Sequence, residues 1–238
     1  VSDPQLSIVY SPLHGAGQTS VLPVLRQLGF QVSPVEAQMT PDGDFPNVAN
    51  HKPNPEEPGA NTLATEQMLA ENADIAITTD PDADRLSVII NHHGKVVALD
   101  GNQSATLIMN YVMKNADPTK AYVCKTIVTT ETVRAIAERK GVEMYDVYTG
   151  FKWIAEVMRR NEGKKQYIGG GEESYGFLCQ DFVRDKDAVS ACCILAEMTA
   201  WAKDKGWSLY QLLQQIYLEY GYSKEMNISV VKKGKSGA

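Results

Sequence analysis

The segment that most constrains this chain is Asp80-Pro81-Asp82-Ala83-Asp84-Arg85, because it separates two apolar runs, Ile75-Ala76-Ile77-Thr78-Thr79 and Leu86-Ser87-Val88-Ile89-Ile90. Short apolar runs on either side of an acidic, proline-containing break read as strand, loop, strand. Pro81 argues against a helix through the break, since it lacks an amide donor and fixes one φ. In extended backbone the side chains of Asp80, Asp82 and Asp84 point the same way. Three anions crowded at a strand end are unfavourable unless a cation sits among them. An all-oxygen donor set suits Mg2+ or Ca2+ rather than zinc or copper. A solvated acidic loop is the bland alternative.

An EF-hand needs Gly at loop position 6 and Glu at position 12; counted from Asp80 those places hold Arg85 and Asn91, which excludes it. A strand followed by Asp-x-Asp also resembles the haloacid-dehalogenase phosphatases, with Asp80 as the phosphoryl-accepting nucleophile. That family continues with Thr or Val two residues after the second Asp, where this chain has Asp84.

The remainder alternates in the same manner. Leu6 to Tyr10 reads as a strand, a helix capped by Thr19 or Ser20 runs to Leu28, and Phe30 to Val35 is the next strand. This βαβ order favours a parallel sheet with helices packed on it. Asp42 to Pro58 is a polar, proline-rich irregular loop, and Asn61 to Asn72 a helix with Leu63, Met68 and Leu69 inward. Asn91-His92-His93-Gly94 reads as a hairpin turn into Val96 to Leu99, so its histidines are turn residues rather than ligands. From Asp100 a second series begins: helix Gln103 to Lys114, strand Ala121 to Lys125, helix Thr132 to Lys140, strand Val142 to Val147, a helix to about Arg160, and strand Gln166 to Gly169. Two helices follow, one to about Lys205 and one from Leu209 to Tyr220 with Leu212, Leu213, Ile216 and Tyr217 as its core stripe. The expected fold class is α/β: two consecutive three-layer α/β/α domains with mixed, mostly parallel sheets. Their expected limits are residues 1–99 and 100–222, with 223–238 a linker toward a further domain.

With 43% hydrophobic and 22% charged residues the composition is that of a soluble globular chain. A net charge of −6 gives no electrostatic footprint for nucleic acid or an anionic membrane, and the longest apolar run, Ala188 to Ala196, is too short to span a bilayer. Cys124, Cys179, Cys192 and Cys193 form no Cys-x-x-Cys pair. Reduced thiols and a cytoplasmic location are the simplest expectation. The chain starts at Val1 and stops in a linker-like Lys232-Lys233-Gly234-Lys235-Ser236-Gly237-Ala238, so a piece of something longer is expected.

Gly171-Glu172-Glu173-Ser174-Tyr175-Gly176 is a poor dinucleotide loop, because Ser174 stands at the third glycine and two glutamates would repel a pyrophosphate. Acceptors beside a hydroxyl on a glycine-rich turn suit a ligand rich in hydroxyl groups, such as a sugar. Arg85, Lys152, Arg184 and Lys186 flank these loops, and together they fit a phosphorylated substrate.

These strings, with Ser11-Pro12-Leu13-His14-Gly15, Pro53-Asn54-Pro55-Glu56-Glu57, Lys125-Thr126-Ile127-Val128-Thr129, Thr149-Gly150-Phe151-Lys152 and Arg184-Asp185-Lys186-Asp187-Ala188, stand in one order. The chain thereby resembles the α-D-phosphohexomutases, the phosphoglucomutase/phosphomannomutase superfamily, over the second and third of that family's four domains. The resemblance implies that Asp80, Asp82 and Asp84 bind Mg2+ and that Arg85 steadies the phosphate of an active-site phosphoserine. It implies that Glu172 and Ser174 hold sugar hydroxyls, that Thr149 and Gly150 contact the sugar from another side, and that Lys186 approaches substrate. The partners implied are a hexose phosphate, a hexose 1,6-bisphosphate, and domains I and IV of the same polypeptide. The family's serine string, like Thr-Ala-Ser-His-Asn-Pro, has no counterpart here, and of its phosphate loop only Ser236-Gly237 recurs. The expectation is a mutase fragment, glucose-directed from its Glu-Glu-Ser-Tyr-Gly form, inactive alone and without an assignable general acid or base. A phosphomannomutase or dual-specificity mutase is the nearest alternative. An aspartyl phosphotransferase with Asp80 as nucleophile and a metal-dependent sugar-binding module are the rivals from other classes.

Overall fold

The computed structural model describes residues 5–226. Among these described residues nine strands form two sheets. In the first, β1 (Ser7–Ser11), β2 (Gln31–Pro34), β3 (Ile75–Thr79), β4 (Leu86–His92) and β5 (Lys95–Ala98) lie in the order β2-β1-β3-β4-β5. Strand β1 is parallel to β2 and β3, whereas β3, β4 and β5 run antiparallel. In the second, β6 (Ala121–Thr126), β7 (Glu143–Val147), β8 (Gln166–Gly171) and β9 (Phe177–Leu178) are ordered β7-β6-β8-β9, with only β9 antiparallel. The helices are α1 (Val21–Gln27), α2 (Thr62–Ala70), α3 (Gly101–Val112), α4 (Thr132–Lys140), α5 (Phe151–Asn161), α6 (Ala188–Asp204) and α7 (Leu209–Tyr220).

The inner strands β1, β3, β4 and β6 are buried on both faces, as strands covered on two sides must be. From the first sheet Val9, Ala76 and Ile89 meet Ala64 and Met68 of α2. Ile8, Tyr10, Ile77, Val88 and Ile90 point the other way. In the second sheet Tyr122 and Cys124 face Phe151, Ile154, Val157 and Met158 of α5, while Val123 faces Val133 and Ile136 of α4. The inward faces of the two sheets share one continuous core. Helix α6 explains this: Ala191, Cys192, Leu195, Ala196, Met198, Ala200 and Ala202 are all buried, so it is apolar nearly all round and packs both on α1 of the first half and on α3 and α7 of the second. The relative placement of the two sheets is therefore set by side-chain packing rather than by the chain connection at Leu99.

Local chemistry sets most helix ends. Asp100 and Gln103 form a capping box that starts α3 two residues before the expected Gln103. Ser208 with Gln211 does the same for α7, and the Asp187 side chain accepts from Ser190 N at the start of α6. The expected Thr19 or Ser20 cap is not made; a 3-10 turn over Ala16–Thr19 leads into α1 instead. Leu69, expected inward, is exposed, because the 100° step from Met68 carries it off the narrow buried stripe of Ala64 and Met68. Strand β9, two residues long, was not expected. His93 and Gly94 do form the turn between β4 and β5, and His92 Nδ1 pairs with Ser208 Oγ. Of the expected linker, residues 223–226 have neither helix nor strand, and 227–238 lie outside the described residues. Among the described residues no helix is long and apolar enough to cross a membrane.

The parallel strands deliver the sequence strings to one edge. Ser11 ends β1, Asp80 follows β3, Thr126 ends β6, Thr149 follows β7, and Gly171 ends β8. Carboxyl ends of parallel strands are where α/β sheets bind ligands.

Candidate functional site

Asp80 follows β3, and its loop is a turn rather than extended chain. The Ala83 N–H donates to the Asp80 carbonyl (3.0 Å), and Ala83 adopts φ 56°. Asp80 Oδ1 accepts the backbone N–H groups of Asp84 and Arg85, each at 3.0 Å. Convergence of the three carboxylates thus comes from a turn closed around Asp80, not from strand alternation. One oxygen each of Asp80, Asp82 and Asp84 lies within 4.8 Å of the others. Burial pushes the Asp80 carboxyl up to about 7, helped by the hydrogen bond and charge of Asp84 and the charge of Asp82, and opposed by the Arg85 N–H. Three carboxylates whose mutual repulsion is only partly relieved by N–H groups fit a hard divalent cation such as Mg2+.

Neighbouring strings hold this loop from two sides. Ala16 N–H donates to the Pro81 carbonyl (2.8 Å), and a Cβ on Gly15 would sit 2.2 Å from Pro81 Cα. The glycine of Ser11-Pro12-Leu13-His14-Gly15 is therefore needed for a backbone-to-backbone approach. Gly15→Ala should displace the acidic loop. The expected result is a melting temperature lower by ~4 °C or more and Mg2+ binding weakened about tenfold, read by thermal shift with and without Mg2+; an unchanged Mg2+ response would contradict this. On the other side Arg85 Nη1 meets Glu56 Oε1 at 3.0 Å, which gives the Pro53–Glu57 string a role in aiming Arg85.

The second half contributes directly. Arg85 bridges to Gly176, Leu86 N–H donates to the Tyr175 carbonyl (3.1 Å), and Ala188 N–H donates to the Ala83 carbonyl (3.0 Å). Lys186, its side chain 14% exposed, places Nζ 3.0 Å from Asp84 Oδ2 and 3.4 Å from Asp185 Oδ1. Burial pulls the Lys186 ammonium downward in pKa, but the hydrogen bond and charge of Asp84, with Asp185, outweigh it and the net shift is upward. The acidic loop and the Gly171–Gly176 loop are thus joined as one surface.

Within Gly171–Gly176 the two glutamates do different things. Glu172 is buried, and its Oε1 accepts the Gly150 N–H at 2.8 Å, linking the loops after β7 and β8. Glu173 turns away, its Oε2 accepting from Thr126 Oγ1 and Thr129 Oγ1 at 3.1 Å each. Ser174 is half-buried and its hydroxyl has no partner among the described residues. Thr149 is exposed beside Gly150.

Asp80, Asp82, Asp84, Arg85, Gly150, Glu172 and Lys186 are therefore linked by direct contacts or shared turns, with Ser174 in the same loop and Thr149 at its rim. Lys152 and Arg184 are not brought in. Lys152 is exposed over the Trp153 ring, and Arg184 faces Glu162 at 3.7 Å. Glu56, Glu173 and Lys125 had no assigned role in the sequence; the only signal was that each lay in an ordered string.

The fold and these joined loops define an α/β protein with a cation-competent acidic turn facing a glycine-rich acceptor loop. The family model described as phosphoglucomutase/phosphomannomutase, alpha/beta/alpha domain II, matches residues 1–94, and that for alpha/beta/alpha domain III matches residues 100–220. The chain belongs to the phosphoglucomutase/phosphomannomutase family. It is 36% identical over 235 residues to a phosphoglucomutase of Staphylococcus aureus and 34% identical to one of Staphylococcus haemolyticus, covering 98% of this chain but 42% of each relative. A putative phosphomannomutase structure from Thermus thermophilus shares the fold with a TM-score of 0.76 at 24% identity over 92% of this chain and 47% of that one. An N-acetylphosphoglucosamine mutase of Aspergillus fumigatus, solved with GlcNAc-6P and magnesium, aligns with a TM-score of 0.57 at 15% identity, covering 89% of this chain and 49% of that chain.

Proposed function

We propose that this chain is the metal- and sugar-binding centre of a phosphohexomutase that interconverts hexose 1-phosphate and hexose 6-phosphate, glucose being the preferred hexose. The observation that carries the reading is the backbone pairing of the acidic turn with the glycine-rich acceptor loop, the Leu86 N–H on the Tyr175 carbonyl at 3.1 Å beside the Arg85–Gly176 bridge, which brings both into one site. Family membership and the phosphoglucomutase names of the staphylococcal relatives support it.

In this reading Asp80, Asp82 and Asp84 hold Mg2+, which when bound stabilises the charge that develops on a transferring phosphoryl group. Arg85, aimed by Glu56, steadies the phosphate carried by a serine elsewhere in the polypeptide. Glu172 and Ser174 hold sugar hydroxyls, and the Glu172–Gly150 bond fixes the Thr149-Gly150 turn, which contacts the sugar from another side. Lys186, 3.0 Å from Asp84 Oδ2, would supply a charged donor to the substrate phosphate once the Asp84 charge was satisfied by a bound cation. The phosphoserine gives its phosphate to the hexose, and the resulting 1,6-bisphosphate turns over and returns the other phosphate. No Thr-Ala-Ser-His-Asn-Pro-like string occurs in these 238 residues, so this stretch alone is inactive.

The test is conversion of glucose 1-phosphate to glucose 6-phosphate by the full-length polypeptide with Mg2+ and catalytic glucose 1,6-bisphosphate, beside the mannose pair. Expected are turnover, an acid-stable phosphoserine and a higher kcat/KM for glucose. Failure to convert either hexose would sink the reading, and conversion by the 238-residue chain alone would sink its inactivity.

A further inference from the structure

We infer that the Lys125-Thr126-Ile127-Val128-Thr129 string is a positioning device for the glycine-rich loop, acting through Glu173. This rests on the reading of that loop as the sugar site.

Lys125 lies on the central strand β6 with its side chain 1% exposed. A buried ammonium is tolerated only when every proton is engaged and a counter-charge is close. Here Nζ donates to the carbonyls of Thr126 (3.3 Å) and Thr129 (3.0 Å) and to Glu131 Oε1 (2.8 Å), with Asp146 Oδ1 at 3.1 Å. The hydrogen bond from Lys125 in turn holds the Glu131 carboxyl below its ordinary range. The ammonium thus clamps the turn between β6 and α4 from beneath, by its carbonyls.

That turn presents two hydroxyls upward. Thr126 Oγ1 and Thr129 Oγ1 lie 2.8 Å apart, both donate to Glu173 Oε2, and Thr129 Oγ1 accepts the Glu173 N–H at 3.2 Å. Glu173 is also fixed from a third direction: a Cβ on Gly101 would lie 1.7 Å from its carbonyl oxygen, so the first turn of α3 abuts the loop backbone. With Glu173 held at side chain, amide and carbonyl, the backbone that carries its neighbours Glu172 and Ser174 is fixed in place. Lys125 and Thr129 thereby act on the loop through Glu173.

Thr129→Val keeps the shape of the side chain and removes the hydroxyl that serves Glu173 twice; Thr129→Ser restores it. In the 238-residue chain, hydrogen exchange of the amides of residues 172–176 should rise about tenfold in Thr129→Val and return toward wild type in Thr129→Ser. In the full-length polypeptide the KM for glucose 1-phosphate should rise about tenfold in Thr129→Val, with Mg2+ affinity unchanged and rescue by Thr129→Ser. Unaltered exchange in the loop overturns the inference. So does altered exchange with an unaltered KM, which would make the string structural only. If the wild-type protein converts no hexose phosphate, the mutase reading falls and the inference with it as a claim about substrate, while exchange in the two variants still decides whether the string orders the loop.

Discussion

Asp80→Asn is expected to raise the melting temperature of the metal-free chain and to abolish the further rise that Mg2+ produces. Asparagine retains the Oδ1 acceptor that receives the Asp84 and Arg85 N–H groups at 3.0 Å, so the turn survives. What disappears is an anion that the fold disfavours, since burial and the adjacent carboxylates lift Asp80 to about 7. A carboxyl whose pKa is raised by folding destabilises the native state once it must ionise. The penalty is absent below the ordinary carboxylate range, grows as pH rises from about 4 to about 7, and is constant above that. Counting only one unit of that shift gives ~1 kcal/mol, or about 2–4 °C for a chain of this size. Thermal shift assays across pH 5 to 8 should show the variant's advantage widening with pH, and Mg2+ should stabilise only the wild type. A variant that melts below wild type at pH 8, or keeps the Mg2+ response, would refute this account of the acidic turn.

Lys186→Met should separate the two duties of that residue. Methionine keeps the length of the side chain that lies against Gly176 and near the Phe151 ring, but removes the cation 3.0 Å from Asp84 Oδ2. With no ammonium competing for Asp84, Mg2+ should bind about tenfold more tightly. On the proposed function the same change also removes a charged donor for substrate phosphate, so kcat/KM of the full-length polypeptide should fall about 100-fold, the upper end for one charge-assisted hydrogen bond. Calorimetric titration with Mg2+ and steady-state kinetics read the two effects. Weaker Mg2+ binding would mean that Lys186 supports the metal turn instead of competing with it; unchanged kcat/KM would remove it from the substrate site.

The opposed directions of these results follow from how the site is built. The acidic turn is costly by itself, and the fold sustains it with N–H donors below and Lys186 beside it. On the proposed function, part of that support is exchanged for a cation and a phosphate when ligands bind.

Much of this was legible in the chain. The runs around Asp80 are strands because they are short, apolar and bounded by Pro81 and by polar turns; the helix over Thr132–Lys140 has the expected limits, closed by Gly141 in the left-handed conformation. The acidic triad could be singled out because like charges at one strand end need an outside explanation. Its geometry could not, because the left-handed Ala83 that folds the turn leaves no mark in residue type. Leu69 was misplaced because a short helix with two buried positions has no strong stripe to read.

What the sequence by itself determined was the identity of the strings, their order and the edge to which alternating strands and helices would carry them. Those are properties of local periodicity and of residue chemistry within a few positions. What only the tertiary structure decided was which string touches which: Glu56 on Arg85, Gly15 on Pro81, Lys186 on Asp84, Lys125 beneath the turn that holds Glu173. These partners are separated along the chain by as few as four residues and as many as about one hundred. They meet because α6, buried on nearly every side, welds the two sheets into one core, and burial of that kind depends on surfaces that exist only once the chain has folded.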